Sequence, residues 1–261
     1  MYTPMEMTFN EYNFFSDINK ENAHYYYNGK VVPRTTEILS AMLHEQSLMV
    51  WSNHLGLYQR KEYDQYMENV ADKGTYTHKS IEIYLSKFNE RGIYDPSFVI
   101  EDMNLPFTMV NTVQNGLYAF VAWLTKLCEN HQVKVIATEM PVSCQYFGGT
   151  IDFLVEVDGE VYLVDFKTSN HISYKHFLQL SAYRYMLMTQ NNIYPSKCVI
   201  LQLNKKIAKY TEYVLDVSNM GTDYTFIQTC QDQMISLSQD FVRRLYIEHE
   251  LMNHVSKESG K

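Results

Sequence analysis

The sequence has little of what marks secreted, metal-stapled or membrane-spanning proteins. Its four cysteines are scattered over 261 residues without a Cys-x-x-Cys pair, a spacing that suits neither a structural zinc site nor a disulfide framework. No apolar run approaches the roughly 20 residues of a spanning helix, and the first residues lack the basic and apolar regions of a signal peptide. We therefore expect reduced thiols, a cytoplasmic location and no membrane partner.

Linkers and an excess of positive charge are also missing. No Pro/Gly/Ser-rich linker, low-complexity run or repeat interrupts the chain, which predicts one domain over residues 1–261. The net charge of −8 argues mildly against nucleic-acid binding, because non-specific affinity comes largely from Lys and Arg. Several cations nonetheless cluster, either as a solvated face or as nucleic-acid contacts: Lys73, Lys79, Lys167, Lys175, His176, Arg184, Lys205, Lys206 and Lys209.

The stretch 148–167 predicts a β-hairpin. Two runs rich in β-branched and aromatic residues flank an Asp-Gly pair at 158–159, the strongest short-range hairpin signal. A two-residue loop fixes a register in which Asp152 lies directly opposite Asp165. Facing like charges destabilise a sheet by up to about 1 kcal/mol, so a cation is expected between them, and a hard divalent ion fits best.

Lys167 shares one strand face with Asp165, because side chains alternate along a strand. The simpler alternative is that Asp152 is a solvated edge residue and that Asp165 only forms a salt bridge with Lys167. The surrounding residues are apolar, however, and buried Asp and Lys are rare unless they are paired or metal-bound. This environment favours a functional site over a wet edge.

These motifs resemble the PD-(D/E)XK nuclease superfamily, in particular its RecB-like and phage-exonuclease branch, in which Gly-x-x-Asp replaces the Pro-Asp of the superfamily name. The opening of phage members is matched more weakly, by the Asn-Gly turn and residues 33–39. The motifs that carry the resemblance are Gly149-x-x-Asp152, Asp165-Phe166-Lys167, Gln179-x-x-x-Tyr183 and an upstream helical His78.

The resemblance implies a set of site residues. The expected catalytic residues are Asp152, Asp165, Lys167, Gln179 and Tyr183. The expected ligands of Mg²⁺ or Mn²⁺ are His78, Asp152, Asp165 and the Phe166 backbone carbonyl, with Glu139 in second rank because an ordinary pairing role at the sheet edge fits it equally well. The expected nucleic-acid contacts are Lys73, Lys79, Lys175 and Arg184.

Each of these assignments has a structural alternative. His78 lies on one helix face with Ile81 and Leu85, as a core histidine would. Gln179 and Tyr183 fit an ordinary amphipathic helix equally well. Some RecB-like relatives hold an iron–sulfur cluster through three cysteines near the C-terminus, and because this chain lacks that group we expect no such cluster.

The periodicity of the chain predicts an α/β fold, a central mixed β-sheet of four or five strands flanked by helices. The resemblance implies that this sheet is a restriction-endonuclease-like core and that the N-terminal helices are an addition to it. The predicted subdivision is an N-terminal hairpin and helices (1–66), a nuclease core (70–217) and a closing helix (221–252). Predicted helices cover about 37–44, with Thr35 or Thr36 as N-cap, and then 48–66, 73–87, 107–131, 173–190 and 221–252. Predicted strands cover 133–142, the two arms of 148–167, 197–204 and 210–217, with a short hairpin at 25–33.

The resemblance implies a metal-dependent nuclease that hydrolyses DNA, most simply a phage-type exonuclease in recombination, repair or processing. Two alternatives stay open, a non-cleaving nucleic-acid-binding module on the same fold and a metal-dependent hydrolase of a small substrate. The expected partner is single- or double-stranded DNA. A recombination or replication protein, self-association and action in a host cytoplasm are further open expectations.

Overall fold

Alternating and continuous apolar runs in the second half of the chain form a five-stranded mixed sheet. The computed structural model describes residues 25–43 and 63–258, with side chains over 25–43 and 73–249, so most of the helix predicted at 48–66 and residues 1–24 lie outside it. The strands are β3 (Val133–Ser143), β4 (Gly148–Val157), β5 (Glu160–Lys167), β6 (Lys197–Asn204) and β7 (Lys209–Asp216). They lie in the order β3-β4-β5-β6-β7, and only β5 and β6 are parallel.

A short hairpin precedes this sheet. Strands β1 (Tyr25–Tyr27) and β2 (Lys30–Val32) are antiparallel, and Asn28 and Gly29 between them have φ values of 49° and 78°, as a two-residue turn requires. The predicted Asn-Gly turn is therefore confirmed.

Helix α1 (Thr35–Met42) already includes the two threonines that were expected to precede it as N-cap. Its N-cap is Arg34, so the prediction of Thr35 or Thr36 as N-cap is wrong. The Thr35 hydroxyl donates instead to the Gly148 carbonyl at 3.0 Å, which ties this helix to the start of β4.

Helices cover both faces of the sheet. They are α2 (Tyr63–Ser86), α3 (Phe88–Arg91), α4 (Ser97–Asp102), α5 (Phe107–Asn130), α6 (Tyr174–Gln190) and α7 (Thr222–Glu258). One buried cluster packs α1, α6 and α7 against one face of the sheet. A second cluster packs α2, α3, α4 and α5 against the other face. The predicted α/β architecture with a mixed sheet between helices is confirmed.

Two helices on one face approach each other closely. A methyl group added at Gly116 of α5 would lie 2.5 Å from Cγ2 of Thr77 on α2, a distance that real side chains do not tolerate. This contact sets how closely α2 approaches α5 at Thr77, the residue directly before His78. In the described part of the chain, no helix is long and apolar enough to cross a membrane. The predicted subdivision of residues 1–261 stays a prediction.

The helix contact gives a first test. Gly116→Ala should lower the free energy of unfolding by about 1–3 kcal/mol, because the added methyl group overpacks the α2–α5 contact. Gly221→Ala is the matched control, since it has an ordinary backbone φ and no atom within 4 Å of the added Cβ. Urea titration of both variants measures the difference, and equal stability of the two would contradict the close-contact account.

Candidate active site

The site lies where the central hairpin opens. The predicted register between β4 and β5 is confirmed from the loop as far as the pair Phe153 and Val164. The next predicted pair, Asp152 opposite Asp165, is not part of this ladder. The Phe166 amide donates instead to Asp152 Oδ2 at 2.6 Å, so a side chain takes the place of the β4 backbone and the strands part.

Asp152 is held by donors from two elements. Besides the Phe166 amide, His78 Nδ1 on α2 lies 3.3 Å from Asp152 Oδ1. Burial opposes ionisation of Asp152, but the charges of His78 and Lys167 outweigh it and keep the pKa of Asp152 below its ordinary value. Burial also works against the His78 imidazolium, yet the Asp152 carboxylate raises the pKa of His78.

Asp165 and Lys167 form a second, deeper pair. Asp165 is only 1% exposed, and its Oδ2 lies 2.6 Å from Lys167 Nζ. No hydrogen-bond donor reaches its Oδ1 in the described part of the chain. Burial, with a smaller contribution from Asp152, raises the pKa of Asp165 to about 6 although Lys167 acts in the opposite direction. The Asp165–Lys167 contact named in the simpler alternative is therefore present, but Asp165 is buried, and its Oδ1 has no donor among the described residues.

Glu139 occupies a strained position beside Asp152. It lies between the β3–β4 pairs Thr138–Phe153 and Met140–Ile151, opposite Asp152, and its φ is +47°. A left-handed non-glycine residue within a strand costs of the order of 1–3 kcal/mol and often marks a functional site. Burial and the Asp152 charge raise the pKa of Glu139 to about 7.

Three of these side chains form a donor set for a metal ion. Ligand atoms of His78, Glu139 and Asp152 all lie within 4.8 Å of one another. Two carboxylates and an imidazole suit a divalent cation such as Mg²⁺ or Mn²⁺, so the residues present fit the group. Asp165 is not in this set of three, and its predicted ligand role and that of the Phe166 carbonyl stay predictions.

Gln179 and Tyr183 of α6 form a hydrogen-bonded pair near the two aspartates. Gln179 Nε2 donates to the Tyr183 hydroxyl at 2.8 Å, and the Tyr183 ring lies so close to Gly149 that an added Cβ would be 2.5 Å from Tyr183 Cε1. Burial and the charges of Asp165 and Asp152 raise the pKa of Tyr183 well above its ordinary value. The hydroxyl therefore stays protonated near the two aspartates.

The predicted nucleic-acid contacts lie in different places. A cavity of about 330 Å³ beside His78 and Glu139 is lined by Lys79, which pairs with Glu82 at 2.7 Å. Lys73 lies on the same helix as Lys79, and Lys175 lies on α6. Arg184 is only 4% exposed and stacks over the Tyr224 ring. Such burial does not favour contact with a nucleic-acid backbone, and the role predicted for Arg184 stays a prediction.

Sequence reasoning missed two features of the site. Glu82 lies four residues after His78 and near enough to Glu139 to raise its pKa, and a His-x-x-x-Glu spacing on one helix face was the available signal. The Tyr25 hydroxyl lies 2.6 Å from Thr150 Oγ1, which docks the N-terminal hairpin two residues from Asp152. No sequence signal joins residues so far apart.

The comparisons with known proteins come to one clear finding. No curated protein matches the sequence. The solved structure of SSO0001 aligns with 62% of this chain and 74% of its own, at 13% identity and a TM-score of 0.25, a likeness too weak to carry an argument. The family model of the PD-(D/E)XK nuclease superfamily matches residues 50–253, a range that contains every residue of the donor set and of the Asp165–Lys167 pair. The chain belongs to the PD-(D/E)XK nuclease superfamily.

Proposed function

We propose that this protein is a Mg²⁺- or Mn²⁺-dependent DNA nuclease of the RecB-like and phage-exonuclease branch, acting in recombination, repair or processing. The observation that carries the proposal is the meeting of the donor set, His78, Glu139 and Asp152, with the Asp165–Lys167 pair at the open end of one hairpin. The branch, the exonuclease activity and a cytoplasmic place of action are supported only by the sequence resemblance and composition.

A divalent cation held there would supply Lewis-acid activation of the phosphodiester and of water. Lys167 brings a positive charge to the edge of the site, where it can stabilise negative charge that develops on the phosphate. Asp165 fixes the position of that ammonium group through their 2.6 Å contact. The protonated Tyr183 hydroxyl, held by Gln179, offers a neutral donor close to the two aspartates.

The two alternative functions fit the site less well. A non-cleaving binding module has no use for buried carboxylates that repel phosphate, yet Asp152, Asp165 and Lys167 are all present. A hydrolase of a small substrate would be expected to have a largely apolar pocket, whereas the cavity beside His78 has no aliphatic side chain among Gly74, Thr75, His78, Lys79, Glu82 and Glu139. The ionisable side chains in this lining differ from the aliphatic and aromatic side chains that surround a typical small-molecule ligand.

A cleavage assay tests the proposed function. Wild-type protein should degrade end-labelled linear DNA with Mg²⁺ or Mn²⁺, leave circular DNA intact if it is an exonuclease, and lose all activity in EDTA. Asp152→Asn should slow cleavage at least about 100-fold, about 2.7 kcal/mol of transition-state stabilisation. Asp158→Asn is the matched control, because Asp158 lies exposed in the loop of the same hairpin. Full activity in EDTA, or equal rates for the two variants, would contradict the proposal.

The raised pKa of Glu139 predicts how metal affinity depends on pH. With a pKa of about 7, Glu139 is mostly protonated below pH 7, and a cation must displace that proton before it gains the carboxylate. Affinity for Mn²⁺ should therefore fall as the pH drops from about 8 to about 6, with proton release measurable by calorimetry in buffers of different ionisation enthalpy.

The control for this titration is Glu160→Gln, which removes an exposed carboxylate at the far end of the hairpin. Glu139→Gln should bind Mn²⁺ more weakly and release fewer protons than this control. Identical proton release from both variants would show that Glu139 is not a ligand.

A further inference from the structure

Two parallel strands bring a second segment to the active-site end of the sheet. The β5–β6 ladder ends at the pair Lys167–Gln202, and neighbouring parallel strands have their C-terminal ends on the same side of the sheet. Beyond Gln202, the chain runs into the turn 205–208 that joins β6 to β7. This turn therefore lies at the same end of the sheet as the Asp165–Lys167 pair.

The backbone of this turn is fixed from two sides. Asn204 Oδ1 accepts from the Lys206 amide at 2.9 Å, and Asn115 Nδ2 on α5 donates to the Lys205 carbonyl at 3.0 Å. Ala208 completes the turn with a left-handed φ of 48°. Lys205 is thus presented by a rigid backbone rather than by a loose loop.

Lys73, on α2, lies near the same end of the sheet. It lies five residues before His78, about 7.5 Å along the helix axis. Its neighbour Gly74 packs on the residue that follows β5, since an added Cβ would be 3.3 Å from Thr168 Oγ1. The Lys73 carbonyl accepts from the Thr77 hydroxyl at 2.8 Å, which holds this turn of the helix in place.

Lys73 and Lys205 lie close enough for the charge of one to act on the other. Both are half-buried, and burial together with the Lys73 charge lowers the pKa of Lys205. Among the residues that the structure describes, neither Lys73 nor Lys205 forms an ion pair with an acid. The chain has 30 acids against 22 Lys and Arg, so a shortage of acids does not explain why these two lysines have no ion-pair partner among the described residues.

We infer that Lys73 and Lys205 together bind a backbone phosphate of the nucleic-acid strand, one that lies next to the scissile phosphate. The inference rests on the proposed function and extends it, because it assigns to Lys205 and its turn a substrate-binding role. Contacts to phosphate carry no sequence information, so the site should bind strands of any sequence.

Binding measured without cleavage tests this inference. Fluorescence anisotropy in EDTA gives the Kd of labelled DNA at several salt concentrations. The double variant Lys73→Gln/Lys205→Gln should bind about tenfold more weakly at moderate salt, whatever the sequence, and its slope of log K against log salt should be shallower by about 2. Lys126→Gln is the matched control, because Lys126 is exposed on α5 about 16 Å along the helix from Asn115.

Arginines at the two positions separate loss of charge from loss of fold. Lys73→Arg/Lys205→Arg should restore both the Kd and the salt slope, with thermal melts confirming that all variants are folded. A glutamine double variant that binds like Lys126→Gln, or an arginine double variant that binds as weakly as the glutamine one, would overturn the inference. If wild-type protein still cleaves DNA in that case, the proposed function survives, whereas wild-type protein that neither binds nor cleaves DNA refutes both.

Discussion

Three carboxylates lie close together at one end of the sheet, and two cationic side chains contact them in the described part of the chain. Asp165 is 1% exposed and Asp152 9% exposed, and Glu139 lies within metal-ligand distance of Asp152. Against them the structure sets Lys167 and His78. Buried carboxylates repel one another strongly where water is excluded. Burial above all, and then the charge of Asp152, raises the pKa values of Asp165 and Glu139, and a divalent cation is the simplest group that relieves this repulsion.

The rest of the fold holds these charges together. The hairpin opens because the Phe166 amide bonds the Asp152 side chain, and this opening turns the carboxylate toward α2. The close contact between Thr77 and Gly116 fixes α2 against α5 directly beside His78, whose Nδ1 lies 3.3 Å from Asp152 Oδ1. On the other side, Tyr183 packs directly on the Gly149 backbone. Strain at Glu139, with its φ of +47°, is offset by this surrounding packing, as is common where a site must be pre-organised.

Much of this arrangement could be predicted from the sequence, because local signals carry it. The Asp-Gly loop fixes the register of the central hairpin correctly as far as Phe153 and Val164, and the apolar periodicity predicts the layers on both sheet faces. The direct Asp152–Asp165 pair was wrong, since strand alternation assumes that backbone amides bond backbone carbonyls. The sequence leaves Glu139 in second rank because an ordinary pairing role at the sheet edge fits it equally well, and a left-handed φ within a strand leaves no mark in the sequence. The burial of Arg184 depends on how α6 meets α7, a tertiary contact that local patterns do not contain.

The most direct test of the account is the position of a bound cation. Crystals grown with Mn²⁺ and measured for anomalous scattering should show one strong peak between His78, Glu139 and Asp152, with Asp165 and Lys167 still paired beside it. A peak elsewhere in the molecule, or none at saturating Mn²⁺ while the same crystals contain folded protein, would contradict the claim that these carboxylates are crowded in order to hold a metal ion.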